Sequence, residues 1–214
     1  MDLFFFPSGL SSLVRWYRRL TQRVWCIFVG RGATLIVGTL HRLGVRNLIV
    51  IPGEHTAAIA GIARRFRRGA VPHAGRRAMR LRIFEPGRDA AFTIIRSSFE
   101  TGIPAVLLGA PGPLALDVLP ALRVALRSRV PLVLLAPVPR PETDQTSHRL
   151  LLKQPSIFAP FCKAALRIES LELCETTLAQ AWDLACAEPG GPVFVEIPAG
   201  MLGQRTLRCF KNFD

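Results

Sequence analysis

The side chains best placed for chemistry in this sequence sit in short loops that follow apolar runs. These loops are residues 52–55, 85–89, 109–113 and 137–139. Glu54 and His55 follow a Pro52-Gly53 turn; they could face a substrate or simply stabilise their own loop. Glu85 stands between Phe84 and Pro86. Taken alone, it reads most simply as an acid capping the next helix, where a negative charge suits the helix dipole. Lys163 and Arg140 are candidate anion contacts, and Glu196 reads as a structural group on a closing strand.

Other chemistries are excluded by what the sequence lacks. No G-x-G-x-x-G follows an apolar run, no phosphate-binding lysine loop is present, and no G-x-S-x-G elbow occurs. The five cysteines (Cys26, Cys162, Cys174, Cys186 and Cys209) form no C-x-x-C pair and no ligand pattern with the four histidines. They read as reduced thiols of a cytoplasmic protein, and a zinc site is not expected.

The elements that must position those loops alternate regularly. Residues 33–43 place Leu35, Ile36, Leu40 and Leu43 on one helical stripe, ended by Gly44. Residues 47–51 form an apolar strand closed by Pro52-Gly53. A helix over 56–68 follows, with Ile59, Ile62, Ala63 and Phe66 inward. Strand 79–84, helix 88–100, strand 104–108, helix 114–127 and strand 131–135 continue the series. After a loop-rich stretch over 137–150 come strand 165–168, helix 171–186 and strand 192–197. Apolar strands alternating with helices predict an α/β fold: a parallel β-sheet with helices on both faces. Ligands of such sheets bind beyond the carboxyl ends of the strands, where the loops named above lie.

Charge and length add bounds. The net charge is +13 over 214 residues, and eight arginines fall between Arg64 and Arg82. Such a run is usually a solvated face, but it would also suit an acidic partner subunit. A nucleic-acid footprint is disfavoured by poor aromatic interleaving. Residues 1–30 form a basic, aromatic extension, with Trp16, Tyr17, Arg18, Arg19 and Trp25 suited to contact with an anionic membrane. They lack the order of a secretory signal, and their composition is compatible with a mitochondrial-type presequence. Residues 31–201 are read as one α/β domain and 202–214 as a tail.

Across residues 32–201 the chain resembles the N-terminal pyrimidine-binding domain of acetolactate-synthase-like thiamine-diphosphate enzymes. The resemblance is carried by an ordered set of stretches. Gly32-Ala33-Thr34-Leu35 through Leu43-Gly44-Val45 opens it, and Ile51-Pro52-Gly53 follows. Gly102-Ile103-Pro104-Ala105-Val106 leads to Ala110-Pro111-Gly112, and Val130-Pro131-Leu132-Val133 comes next. Gly191-Pro192-Val193 through Glu196-Ile197-Pro198 closes the set.

The resemblance implies a pyrimidine-type domain that binds the aminopyrimidine end of thiamine diphosphate. Pro52, Gly53, Glu85, Pro111 and Gly112 would line that end, with Glu85 as the catalytic acid. In the family this carboxyl hydrogen-bonds the pyrimidine ring and supports the proton relay that activates the thiazolium. A carboxyl flanked by Phe84 and Pro86 suits that task, since low dielectric raises its pKa. The substrate implied is a 2-oxo acid, and the reaction a decarboxylation or carboligation. The family's Gly-Asp-Gly and later asparagine hold the diphosphate and magnesium. These residues contain no Gly-Asp pair, and their only asparagines are Asn47 and Asn212. A partner subunit carrying the diphosphate domain, in a homo- or hetero-oligomer, is therefore expected to bring the magnesium.

Several positions depart from the family pattern. Phe84 replaces a common histidine, Ala110 the first glycine of Gly-Pro-Gly, Ala115 an asparagine and Ser128 an aspartate. Ile94 and Ile95 lie near a preferred glycine. The alternative is a degenerate, non-catalytic homologue that serves as an assembly or regulatory module through its basic surface.

Overall fold

The computed structural model describes residues 27–53, 55–67, 79–84, 87–109, 117–139 and 154–209. In chain order the elements begin β1 (Ile27–Arg31), α1 (Gly32–Arg42), β2 (Asn47–Val50), α2 (Ala57–Arg67) and β3 (Arg80–Ile83). Next come α3 (Gly87–Thr101), β4 (Ala105–Leu108), α4 (Leu119–Arg127) and β5 (Leu132–Val138). Helix α5 (Gln154–Phe158) runs into a 3-10 turn (Ala159–Phe161), followed by β6 (Ala164–Arg167) and α6 (Cys174–Cys186). The described chain closes with β7 (Pro192–Pro198), α7 (Gly200–Gly203) and β8 (Arg205–Cys209).

Six strands form one sheet in the order β3-β2-β4-β5-β7-β6, and every pairing is parallel. Both faces are covered, as the near-continuous apolar strands require. Leu48, Val50, Val106, Leu108, Val133, Leu135, Val193 and Val195 turn to one face, where α1, α2 and α6 bury Leu35, Ile36, Leu40, Ile59, Ala63 and Leu178. Ile49, Leu107, Leu132, Leu134 and Phe194 turn to the other, against Ala91 and Ile94 of α3 and Ala121, Leu122 and Ala125 of α4. The Phe158 and Phe194 rings stack there at 4.6 Å between centroids.

Three local differences from the sequence expectation have physical causes. Helix α4 begins at Leu119, not at 114, because Pro120 fits only the first turn of a helix; residues 110–116 lie outside the described part. Strand β5 continues through Pro137 to Val138, where a loop was expected. The Leu135 carbonyl accepts from Gly109 on the β4 side, so Pro137, two residues on, turns its missing N–H to that same side, past the end of β4. Finally, residues 27–31 and 205–209, which run from the expected extension into the first residue of the domain and through the expected tail, pair antiparallel as a two-stranded sheet.

Gly32, the first residue of α1, extends that pairing by one step and lies close against Met201. Its N–H donates to the Gln204 carbonyl at 2.9 Å, and a Cβ at this position would collide with the Met201 carbonyl. Gly44, at φ +84°, ends α1 in the left-handed conformation expected of it.

Candidate functional site

Strands β2 and β4 are neighbours, yet the helices that follow them lie on opposite faces: α2 on the first core, α4 on the second. This is the topological switch point of the sheet. In sheets of this kind a ligand crevice lies at such a point, beyond the carboxyl ends of the strands; among the described residues, 51–53 and Gly109 border it.

Backbone hydrogen bonds hold its rim to the last residue. The Phe84 N–H donates to Val50 at 3.0 Å, Ile51 to Leu108 at 2.9 Å, and Gly109 to Leu135 at 2.9 Å. Pro52 and Gly53 are half-buried and Ile51 is buried. Gly109 lies against Leu134 and Ile51, with room for ordinary contact. The described rim is thus apolar side chain and ordered backbone, a lining suited to a flat ring rather than to a free charge.

Thr56 fixes the shape of the turn. It is buried, and its Oγ1 lies 2.9 Å from the Gly53 carbonyl and 3.2 Å from that of Ile51. Its own N–H donates to Gly53 at 3.2 Å, while its carbonyl accepts from Ala60 at 3.0 Å. One side chain therefore ties the Pro52-Gly53 turn to the first turn of α2. Sequence reasoning placed Thr56 only as the start of a helix. A threonine three residues after Pro-Gly and ahead of Ala-Ala-Ile was the available signal.

The structure brings Pro52 and Gly53 to this rim, and His55 is half-buried just beyond them. Glu85 follows Phe84 directly in the chain but lies outside the described residues, as do Glu54, Pro111, Gly112 and Arg140. Lys163 is not a free anion contact: its ammonium donates to the carbonyls of Leu184, at 2.7 Å, and Ala187, at the end of α6. Ser128 serves as the C-cap of α4. Ile94 is fully buried in the second core, so it fills space between helix and sheet.

Glu196, near the carboxyl end of β7, is 4% exposed and accepts a hydrogen bond from Arg167 Nη1 at 2.8 Å. Burial pushes its pKa above the ordinary carboxylate value, against the opposing pull of Arg167. Arg167 remains half-exposed and also lies 3.8 Å from Glu169. The thiol of Cys162 is pushed up to about 12 by burial and is chemically inert at neutral pH. Among the described residues no group of three His, Cys, Asp or Glu side chains could hold a metal ion, and no helix is long and apolar enough to cross a membrane.

No protein-family model matches the chain. Curated proteins do, eight of them under one name. The chain is 26% identical over 170 residues to the 2-succinyl-5-enolpyruvyl-6-hydroxy-3-cyclohexene-1-carboxylate synthase of Lysinibacillus sphaericus (strain C3-41), covering 76% of this chain and 28% of that protein. What the chain is similar to is a stretch of a synthase. The synthase of Arthrobacter sp. (strain FB24) is 29% identical over 167 residues, 76% of this chain and 27% of its own length. That of Thermosynechococcus vestitus (strain NIES-2133 / IAM M-273 / BP-1) is 28% identical over 186 residues, 85% of this chain and 31% of its own. The chain spans less than a third of the length of these relatives.

Proposed function

We propose that this chain is the pyrimidine-binding part of a thiamine-diphosphate enzyme acting on a 2-oxo acid by carboligation or decarboxylation. The observation that carries this reading is the similarity, over three quarters of the chain or more, to 2-succinyl-5-enolpyruvyl-6-hydroxy-3-cyclohexene-1-carboxylate synthases. The ordered motif set, with Ile51-Pro52-Gly53 and Gly191-Pro192-Val193 among its members, supports the same assignment.

The cofactor can be tested against the residues present. The crevice between the β2 and β4 loops offers an apolar rim and a Pro52-Gly53 turn clasped by Thr56, which fits the flat aminopyrimidine ring. The described residues provide no cluster of oxygen ligands for magnesium. We assign the ring end to Pro52, Gly53, Glu85, Pro111 and Gly112, and the diphosphate end to a domain other than this one. When bound, the cofactor supplies the electron sink that 2-oxo acid chemistry requires. The role of this chain is to orient the ring and exclude water from it. In this reading Glu85 would hold and move the proton exchanged with the ring.

Calorimetric titration of thiamine diphosphate and magnesium into the purified chain, alone and with a candidate diphosphate-binding domain, tests this reading. Heat of binding with both components present, and none with the chain alone, is the expected result. Absence of binding in both mixtures would leave the basic surface as the functional feature instead.

A further inference from the structure

Strand β3 is an edge of the six-stranded sheet. Its inner side is fully used: Arg80 donates its N–H to Arg46 at 2.7 Å, and Phe84 donates to Val50 at 3.0 Å. By the two-residue period of a strand, Arg82 also faces β2, while the N–H and C=O groups of Leu81 and Ile83 point away from the sheet. Among the described residues nothing pairs with them. Proteins usually close such an edge, because it is a template for another strand.

Three of the four side chains of this edge are open, while Leu81 is half-buried against the first core. Arg80 and Arg82 are exposed, and Ile83 is 46% exposed. The register sets Arg80 and Arg82 beside Asn47 and Ile49, and Leu81 and Ile83 beside Leu48 and Val50. One face of the edge is therefore cationic and the other apolar. Arg46, at the start of β2, and Arg64 and Arg65, on α2, are exposed as well. No carboxylate among the described residues pairs with these five arginines. In sequence the whole interval 64–82 contains eight arginines and not one Asp or Glu. The chain's own neighbouring segment, residues 68–78, carries Arg68, Arg76 and Arg77 and would add to the charge rather than neutralise it.

We infer that the β3 edge is a docking site for an extended acidic segment of a partner protein, which adds to the sheet as a further strand. Main-chain bonds to Leu81 and Ile83 supply the pairing, and alternation of the incoming strand supplies selectivity. Its acidic residues lie over Arg80 and Arg82, and its apolar residues over Leu81 and Ile83. Arginines on an edge repel cationic or like strands and admit an acidic one, so the same residues that protect the edge select its partner. An open strand edge with alternating character favours a protein segment over nucleic acid, which would call for stacking aromatics. This inference does not depend on the cofactor reading.

The test uses the full chain and a fluorescently labelled decapeptide of alternating glutamate and valine. Its comparators are the same peptide with a central proline, single-stranded RNA, and phosphatidylserine vesicles. The alternating peptide should bind about tenfold or more tightly than the proline-broken peptide. The paired change Arg80→Glu and Arg82→Glu should weaken it by at least about tenfold. Ile83→Pro removes an outward N–H and leaves every charge in place, so it should weaken binding as much; circular dichroism checks that the variant folds. Independently of any variant, hydrogen exchange at the Leu81 and Ile83 amides should slow when the peptide binds. Equal binding of the broken peptide, tighter binding of RNA or vesicles, or unchanged exchange at those two amides would overturn the proposal.

Discussion

Thr56 is where a single side chain most directly shapes the crevice. Its single hydroxyl proton is shared between the Gly53 carbonyl, at 2.9 Å, and the Ile51 carbonyl, at 3.2 Å, from a buried position. Thr56→Val keeps the shape and removes the hydroxyl, and should cost about 1–2 kcal/mol of stability. Thr56→Ser should restore most of the loss, as read from urea unfolding midpoints. Glu196 makes a different prediction. Its folded-state pKa lies above the ordinary value of 4.5 because its carboxyl is buried. The fold is therefore favoured when Glu196 is protonated, and that contribution is lost as pH rises past 4.5 through the raised folded-state pKa. Glu196→Gln removes this dependence, and half-exposed Arg167 stays solvated without its partner. Between pH 4.5 and neutrality the wild type should lose more stability than the variant, again by unfolding midpoints. Neither role was visible in sequence. A threonine after a turn and an acid in an apolar strand are ordinary local features, and their partners are set by tertiary register. Glu85 was singled out only through the ordered family pattern, since an acid before Pro-Gly otherwise reads as a cap, and it lies outside the described residues.

At the scale of elements, the sequence was most informative where periodicity and punctuation agreed. Helix α1 ends at Gly44 as expected, with Leu35, Ile36 and Leu40 buried. The apolar strands β2, β4, β5 and β7 lie where their runs predicted. Misplaced boundaries gather at prolines. Pro120 fixes the start of α4, while Pro137 is accommodated inside β5 because β4 has already ended. The β1–β8 pair was missed because its strands stand at opposite ends of the domain, and nothing local announces a partner so distant in the chain. Gly32 joins that pair to α1 and lies close against Met201. Gly32→Ala forces a methyl group into the Met201 carbonyl, and should destabilise the protein by about 2 kcal/mol or more. Thermal unfolding measures that loss. A substitution at Gly109, whose surroundings leave ordinary contact distances, should be much milder.

For the whole molecule, the parallel sheet and its two helical layers follow from composition and alternation alone. The strand order does not, because the crossovers that bring β4 beside β2 and β7 between β5 and β6 are set by long-range packing. That order creates the switch point, by sending α2 and α4 to opposite faces from adjacent strands. The same order leaves β3 as an edge and so presents the arginine-bearing strand to solvent. The central claim is that this chain supplies the pyrimidine end of a thiamine-diphosphate site, with Glu85 as its acid. Its most direct test is exchange of the thiazolium C2 proton into deuterated water, followed by proton NMR. Thiamine diphosphate and magnesium would be bound to this chain together with a diphosphate-binding domain, and wild type compared with Glu85→Gln. The account predicts that the variant still binds the cofactor but exchanges that proton roughly 10²–10⁴-fold more slowly. Equal exchange rates in the two proteins would contradict it.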